Sequence, residues 1–290
     1  MRSRRAICVS RDIGWRRAIE DSLSCNGIAV DHRDGIPVAG DAVDAALVIV
    51  DRATREAAGG ALGAIAAPVV IVGDDLDDDA VIAAMLDAPV SHLVVDPRDR
   101  DLGITSEKLA TGDVFGLEKY VAPGTPVGGR VVLGDADKQH ALDALTAWAD
   151  ARVRAPIVHR LRSAADELMM NALYDAPVRP GVARHTELRW AADADVLAIS
   201  VGDRSGALRQ RDVLDHVRRA RHERGRPRPE SGAKRGAGLG LYLVVANVAS
   251  LVINVEVGKR TEVVCLFDRA PAARPAPSAV RSLHVFQAAS

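Results

Sequence analysis

The sequence predicts an α/β protein in two parts, a doubly wound parallel sheet followed by a two-layer α/β sandwich. Three observations predict it. Residues 1–105 alternate near-continuous Val/Ile runs with short helical patterns, as a parallel sheet covered on both faces does. Periodicity then weakens through a linker, residues 106–135, marked by Pro123-Gly124, Pro126 and Gly128-Gly129. Residues 136–269 carry long helical patterns and then strands that pair as a hairpin, which puts helices on one side of an antiparallel sheet.

Composition narrows the function classes. The 290 residues are enough for two ordinary domains. Hydrophobic residues are 48% and charged residues 27%, as in folded soluble proteins. A formal net charge of −1 points to neither nucleic acid nor acidic membrane as a direct partner. Cys8, Cys25 and Cys265 have neither metal-ligand spacing nor a disulfide framework, which fits a reducing cytoplasm. No apolar run approaches the ~20 residues needed to cross a bilayer, and the run after the basic start is too short for a signal peptide.

In order, Arg5–Ser10 reads as a buried strand and Ile13–Cys25 as a helix ended by Asn26-Gly27. Gly27–Asp31, Ala46–Val50, Pro68–Gly73 and His92–Val95 read as further strands, with helical patterns at Asp41–Ala45 and Asp79–Leu86. In such a sheet, function belongs at the carboxyl ends of the strands. Asp51 closes the third strand there. The aspartate run from Asp74 to Asp79 is a candidate metal site or basic-partner surface, but the expected reading is a solvated loop entering a helix N-terminus.

This segment resembles the receiver domain of bacterial two-component systems over roughly its whole length. The resemblance makes Asp51 the candidate phosphoacceptor. The neighbouring positions depart from the pattern. Ser10-Arg11-Asp12 supplies at most one acid for Mg²⁺, Gly73 stands where receivers have Ser or Thr, and Asp96 stands where they have Lys before Pro97. Extra negative charge on Asp51 would be disfavoured without the lysine and with an added carboxylate. A pseudo-receiver used for docking is therefore expected, with a phosphorylated receiver as the alternative.

In the linker, Asp113–Tyr120 carries Phe115, Leu117 and Tyr120 and is expected to dock on one of the domains. His140 and His159 fall in helical stretches but lack the flanking acid and later Pro of a phosphorylatable histidine. A helix is expected over Ala136–Ala151. Arg160–Val178 is expected to be the organising helix. Leu161, Ala164, Ala165, Leu168, Ala172 and Leu173 form its apolar stripe. Glu167 and Asn171, four residues apart, project together beside that stripe. The pair either faces solvent or serves a magnesium nucleotide, the amide oxygen ligating Mg²⁺ and the carboxylate aligning an attacking hydroxyl or water.

Strands follow at Thr186–Ala191 and at Val196–Val201, the latter running into Gly202-Asp203. Gly236–Leu241 (GAGLGL) opens a helix, Leu241–Ala249, and Leu251–Val257 pairs with Thr261–Phe267 around Gly258-Lys259. The glycines admit phosphates to a helix N-terminus. A Rossmann unit is rejected, because an Arg-, Pro- and Gly-rich loop, not a strand, precedes them.

The order ExxxN on a helix, a strand ending in Asp, GxGxG opening a helix and a late strand Thr resembles the GHKL ATPase domain. Histidine kinases, anti-sigma serine kinases, gyrase B subunits and MutL-type proteins share it. The resemblance covers about Ala136–Asp268. It implies that Glu167 is the base or water positioner and Asn171 the Mg²⁺ ligand. It further implies that Asp203 accepts from the adenine amino group, Thr261 lies near the adenine, and Gly236, Gly238 and Gly240 form the phosphate loop. Asp203-Arg204-Ser205-Gly206 departs from the family's Asp-x-Gly-x-Gly, with Gly206 displaced, and Tyr174 with Asp175 stands where histidine kinases place Lys. The segment Ala207–Arg235 occupies the place of the ATP lid and is expected to be a mobile loop, with Lys234 and Arg235 nearest the triphosphate.

The implied function is that of a cytoplasmic signalling protein. It would bind Mg-ATP and phosphorylate a separate partner on Ser or Thr, as anti-sigma kinases do. The alternative is a non-catalytic ATP-gated adaptor; ATP hydrolysis as the main output is the third reading. The partner would be a sigma-factor regulator, a kinase or a response regulator, and a homodimer stays open. The Pro/Ala-rich tail, 270–290, contains Leu283–Phe286, a short strand for its own sheet or for a partner's.

Overall fold

The computed structural model describes residues 4–37, 40–76, 78–86, 90–177, 181, 183–223, 239–269 and 280–288, with only the backbone at 219–223, 239 and 242. The chain is a mixed α/β protein in two compact units, Met1–Val114 with Arg281–Ala289, and Phe115–Val280. Among the described residues, no helix is long and apolar enough to cross a membrane.

In the first unit, β1 (Arg5–Val9), β2 (Ala29–Arg33), β3 (Leu47–Asp51), β4 (Val69–Val72) and β5 (Val90–Val94) are parallel, in the order β2-β1-β3-β4-β5. Ala6–Val9 and Leu47–Val50 are fully buried, the reason their sequences are continuous apolar runs and not alternating ones. The helices α1 (Ile13–Ser24), α2 (Arg52–Ala58), α3 (Asp79–Leu86) and α4 (Arg100–Thr111) connect or follow the strands. Asp12 and Asp51 accept from backbone N–H groups in the first turns of α1 and α2, at 2.9 and 2.7 Å, where such caps stabilise a helix by ~1 kcal/mol.

Two sequence expectations fail here. Asp41–Ala45 is a pair of turns, with Val43 N–H bonding Gly40 and Ala45 N–H bonding Ala42, because Gly40 takes a left-handed φ of 104° at its start. The helix α4, unforeseen, lies across the boundary drawn at residue 105.

The second unit opens with a 3-10 turn, Leu117–Tyr120, then β6 (Gly128–Val132) and the helices α5 (Asp135–Asp150) and α6 (Ala155–Met170). A π-helical turn, Asn171–Asp175, continues α6. Then come β7 (Thr186–Ala192), β8 (Val196–Asp203), α7 (Gln210–Glu223), α8 (Leu239–Asn247), β9 (Ser250–Glu256) and β10 (Arg260–Asp268). The sheet is antiparallel, β9-β10-β8-β7-β6. The helix α6 lies against β7, β8 and β10, between α5 and α8, with α7 on α8.

Direct pairing sets Val201 opposite Val263 and Gly202 opposite Glu262. Val201 and Val263 therefore share one face of the sheet and Glu262 points to the other. Gly116 N–H donates to Glu262 at 2.9 Å and buried Asn254 donates to it at 3.0 Å, so the 3-10 segment is tied to the Glu262 face. The expected mobile loop at Ala207–Arg235 instead holds α7. Its buried Val213, Leu214 and Val217 recur at helical spacing, a stripe hidden among the surrounding charges.

The tail returns to the first unit as β11 (Ser282–Gln287), antiparallel to β5 through Ser282–Val94, Leu283–Leu93 and His284–His92. Ser282 donates to Asp101, Thr105 meets His284 at 3.3 Å, and Lys108 Nζ sits 3.8 Å from the centre of the Phe286 ring. Burial pushes the His284 imidazole down to about 3, helped by the Lys108 charge, so it is neutral at physiological pH.

Candidate functional site

In the second unit, a cavity of about 380 Å³ opens between the end of α6 and the sheet, within the ~300–1,000 Å³ usual for small-ligand sites. The lining includes Leu168, Asn171, Ala172 and Asp175 from α6 and its π-helical turn, and Val201, Asp203, Thr261 and Val263 from the sheet. Ser205 comes from the loop after β8, Asp212 and His216 from α7, and Gly240 and Leu241 from α8.

Strand register explains half of this convergence. Thr261 pairs directly with Asp203 across β10 and β8, so residues 58 positions apart in sequence share one spot on the sheet. Asp203 Oδ1 accepts from Ser205 N–H at 2.6 Å, which bends the chain away from the sheet. Burial raises the Asp203 pKa, and the Ser205 side-chain and backbone hydrogen bonds hold it back. Thr261 is 4% exposed, and its hydroxyl has no hydrogen-bond partner among the described residues. A buried orphan hydroxyl costs about 1–3 kcal/mol, an unusual feature at the wall of a cavity.

Helix spacing explains the other half. Leu168 and Ala172 lie on the buried side of α6 and its extension, and Asn171 emerges beside them into the cavity. Glu167 adjoins it. A β-carbon on Gly240 would lie 2.3 Å from Glu167 Oε2, so a side chain there would displace the carboxylate, and glycine leaves it against the first turn of α8. Burial raises the Glu167 pKa, with the Asp166 charge adding to the shift and Lys138 opposing it. Lys138 Nζ itself bonds Asp166 at 2.8 Å.

Gly206 does not line this cavity. It takes a left-handed φ of 59°, and a β-carbon there would meet the Glu256 carbonyl at 2.2 Å. Its carbonyl accepts from Gly258 N–H at 3.0 Å, so Gly206 supports the β9–β10 turn. Gly236, Gly238 and Lys234 lie outside the described residues. Tyr174 turns away and its hydroxyl donates to Asp135. Asp175, Asp212 and His216 were not chosen as site residues from the sequence. The last two sit four apart on α7, and the Val213–Leu214–Val217 stripe was the signal that could have placed them.

The other candidate, Asp51, stands at the carboxyl end of β3 in the first unit. It is 9% exposed and its Oδ1 accepts from Thr54 N–H. A β-carbon on Gly73 would lie 1.9 Å from the Trp15 ring, so the indole packs directly over this glycine. Asp74 is not solvated, against expectation. It is buried and bound by Arg52 Nε and Arg55 Nε, each at 2.6 Å. Among the described residues, no group of three or more His, Cys, Asp or Glu side chains is placed to hold a metal.

A scan against models of known protein families finds no match to this chain, and a search of curated proteins finds no similar sequence.

Proposed function

We propose that the second unit is a GHKL-type ATP-binding domain that phosphorylates a hydroxyl of a separate protein. The observation that carries this reading is one cavity that gathers Asn171, Asp203, Gly240 and Thr261 and abuts Glu167. The buried Asp203 carboxylate and the orphan Thr261 hydroxyl are an acceptor and a hydroxyl suited to the amino edge of adenine. Asn171 is the residue that would hold Mg²⁺ with its amide oxygen, and the ion would offset phosphate charge. Glu167, at the first turn of α8, is suited to take the proton from the partner's hydroxyl as its oxygen bonds the γ-phosphorus. The bond to the β,γ-bridging oxygen then breaks and ADP leaves. Burial raises the Glu167 pKa in the direction that makes a carboxylate a stronger base.

The first unit, with five parallel strands in the order 2-1-3-4-5, is read as a pseudo-receiver that docks a signalling partner, in a cytoplasmic protein. A second reading of the nucleotide unit is an ATP-gated adaptor without transfer. The observation favouring it is Tyr174, bound to Asp135 where histidine kinases place a phosphate-binding Lys.

One experiment separates these readings. The full chain and Glu167→Gln are incubated with γ-labelled ATP, Mg²⁺ and a lysate of the native cell. Transfer by the wild type should fall on the order of 10²–10⁴-fold in the variant, with ATP affinity by calorimetry nearly unchanged. Equal labelling by both proteins removes Glu167 from the chemistry. ATP binding with no labelled partner favours the adaptor.

A further inference from the structure

The strand β6 ends its sheet and, among the described residues, pairs on one side alone, with β7. A free edge offers N–H and C=O groups to another strand, and proteins usually blunt it with charge, proline or a bulge. Between Gly128 and Leu133 the charged residue is Arg130, and its guanidinium turns back to the Gly129 carbonyl of its own chain at 2.9 Å. Val131 is 50% exposed and Leu133 63%. They stand on the sheet face opposite to buried Val132.

Register shows which backbone groups are free. Gly129 pairs with Arg189 of β7. A β-carbon on Gly129 would lie 3.7 Å from the Arg189 α-carbon and 3.1 Å from the Leu188 carbonyl oxygen. So close an approach belongs to a non-hydrogen-bonded pair of an antiparallel ladder, in which the two residues turn their N–H and C=O groups away from each other. The backbone groups of Gly129, and of Val131 two residues on, therefore point outward from the sheet edge.

We propose that β6 pairs antiparallel with β6 of a second copy of this chain, about a twofold axis at Val131. Each Val131 N–H then donates to the other Val131 carbonyl, and each Gly129 N–H meets the Leu133 carbonyl opposite. This pairing makes no use of the Gly129 carbonyl or the Leu133 N–H. Those groups are already bonded in their own chain, to Arg130 and, at 3.0 Å, to Asp137. Side-chain size matches as well. Exposed Leu133 lies opposite Gly129, which has no side chain to meet it, and Val131 packs on its own mate. The edge is its own complement, as a twofold interface requires. That match favours a second copy over an unrelated strand.

The test is sedimentation velocity of the full chain over about 1–200 μM, a range suited to an interface smaller than the standard size. The wild type should pass from monomer to dimer as concentration rises. Val131→Pro removes an N–H that β7 does not use, which an edge strand tolerates, so the variant should melt like the wild type yet dimerise at least about tenfold more weakly. Val131→Thr keeps the N–H and the branched shape, and should dimerise like the wild type. If Val131→Pro fails to fold, Val131→Lys takes its place, because it sets like charges directly opposite each other. A wild type that stays monomeric throughout overturns the proposal, as does a folded proline or lysine variant that dimerises as tightly as the wild type.

Discussion

Asp51 and Asp203 look alike in sequence, each a carboxylate closing an apolar strand. Their surroundings differ in what is left over. Asp51 caps α2, Trp15 covers Gly73 beside it, and the two nearby arginines are spent on Asp74. Polar groups there are satisfied from within the protein. Asp203 is paired with Thr261, whose buried hydroxyl has no partner among the described residues, and both residues line the cavity. A strand-end aspartate is therefore weak evidence of a site by itself. What separates a cap from a receptor is whether the neighbouring polar groups are already paired.

The largest expected effect comes from Asp203→Asn. A hydrogen bond to a charged acceptor contributes about 1.5–3 kcal/mol, so ATP affinity should drop roughly 10- to 100-fold by calorimetry. Stability should move the other way. Burial raises the Asp203 pKa in the folded chain, so the ionised carboxylate carries a penalty. That penalty is absent below the unfolded pKa and complete above the folded one. Asp203→Asn should melt higher than the wild type at neutral pH, with the gap closing as the pH falls through the carboxylate range. Unchanged affinity would make Asp203 another structural aspartate and dissolve the contrast with Asp51.

Thr261→Val sharpens the same contrast by about half as much. The valine keeps the shape and removes the orphan hydroxyl, so the empty protein should gain up to ~1 kcal/mol in urea unfolding. If the hydroxyl waits for nucleotide, ATP affinity should fall up to about tenfold. A more stable variant with wild-type affinity would mean that the hydroxyl has no ligand to meet.

The two units were not equally legible. The strands of the first were plain because burial on both faces makes Ala6–Val9 and Leu47–Val50 continuous apolar runs. The helix α4 was not. Its buried Asp101, Thr105 and Lys108 break the apolar period, and their partners Ser282, His284 and Phe286 lie more than 170 residues away. Local patterning cannot show a polar face that is satisfied by a distant strand. In the second unit, periodicity gave the β9–β10 hairpin, but the adjacency of Asp203 and Thr261 was implied only by the resemblance, because the pairing of β8 with β10 has no local mark. The place of Gly206 did not follow, because its left-handed φ serves the β9–β10 turn, and a glycine's role is invisible without its contacts.

The smallest expected effect is at Asp51, and it is the direct counter-test. Asn caps a helix as well as Asp does, so Asp51→Asn should shift unfolding by no more than ~0.5 kcal/mol. Incubating the full chain with acetyl phosphate and Mg²⁺ should leave Asp51 unmodified by intact mass and peptide mapping. The reason is electrostatic. A phosphoryl group would add close to two negative charges near a buried Asp74, and Arg52 and Arg55 are already bonded to that aspartate. Freeing them would strand Asp74 as an uncompensated buried charge, a cost of several kcal/mol. Phosphate found on Asp51 would show that Trp15 and the arginines can move aside, and the closed site would then be a resting state and not a lost one.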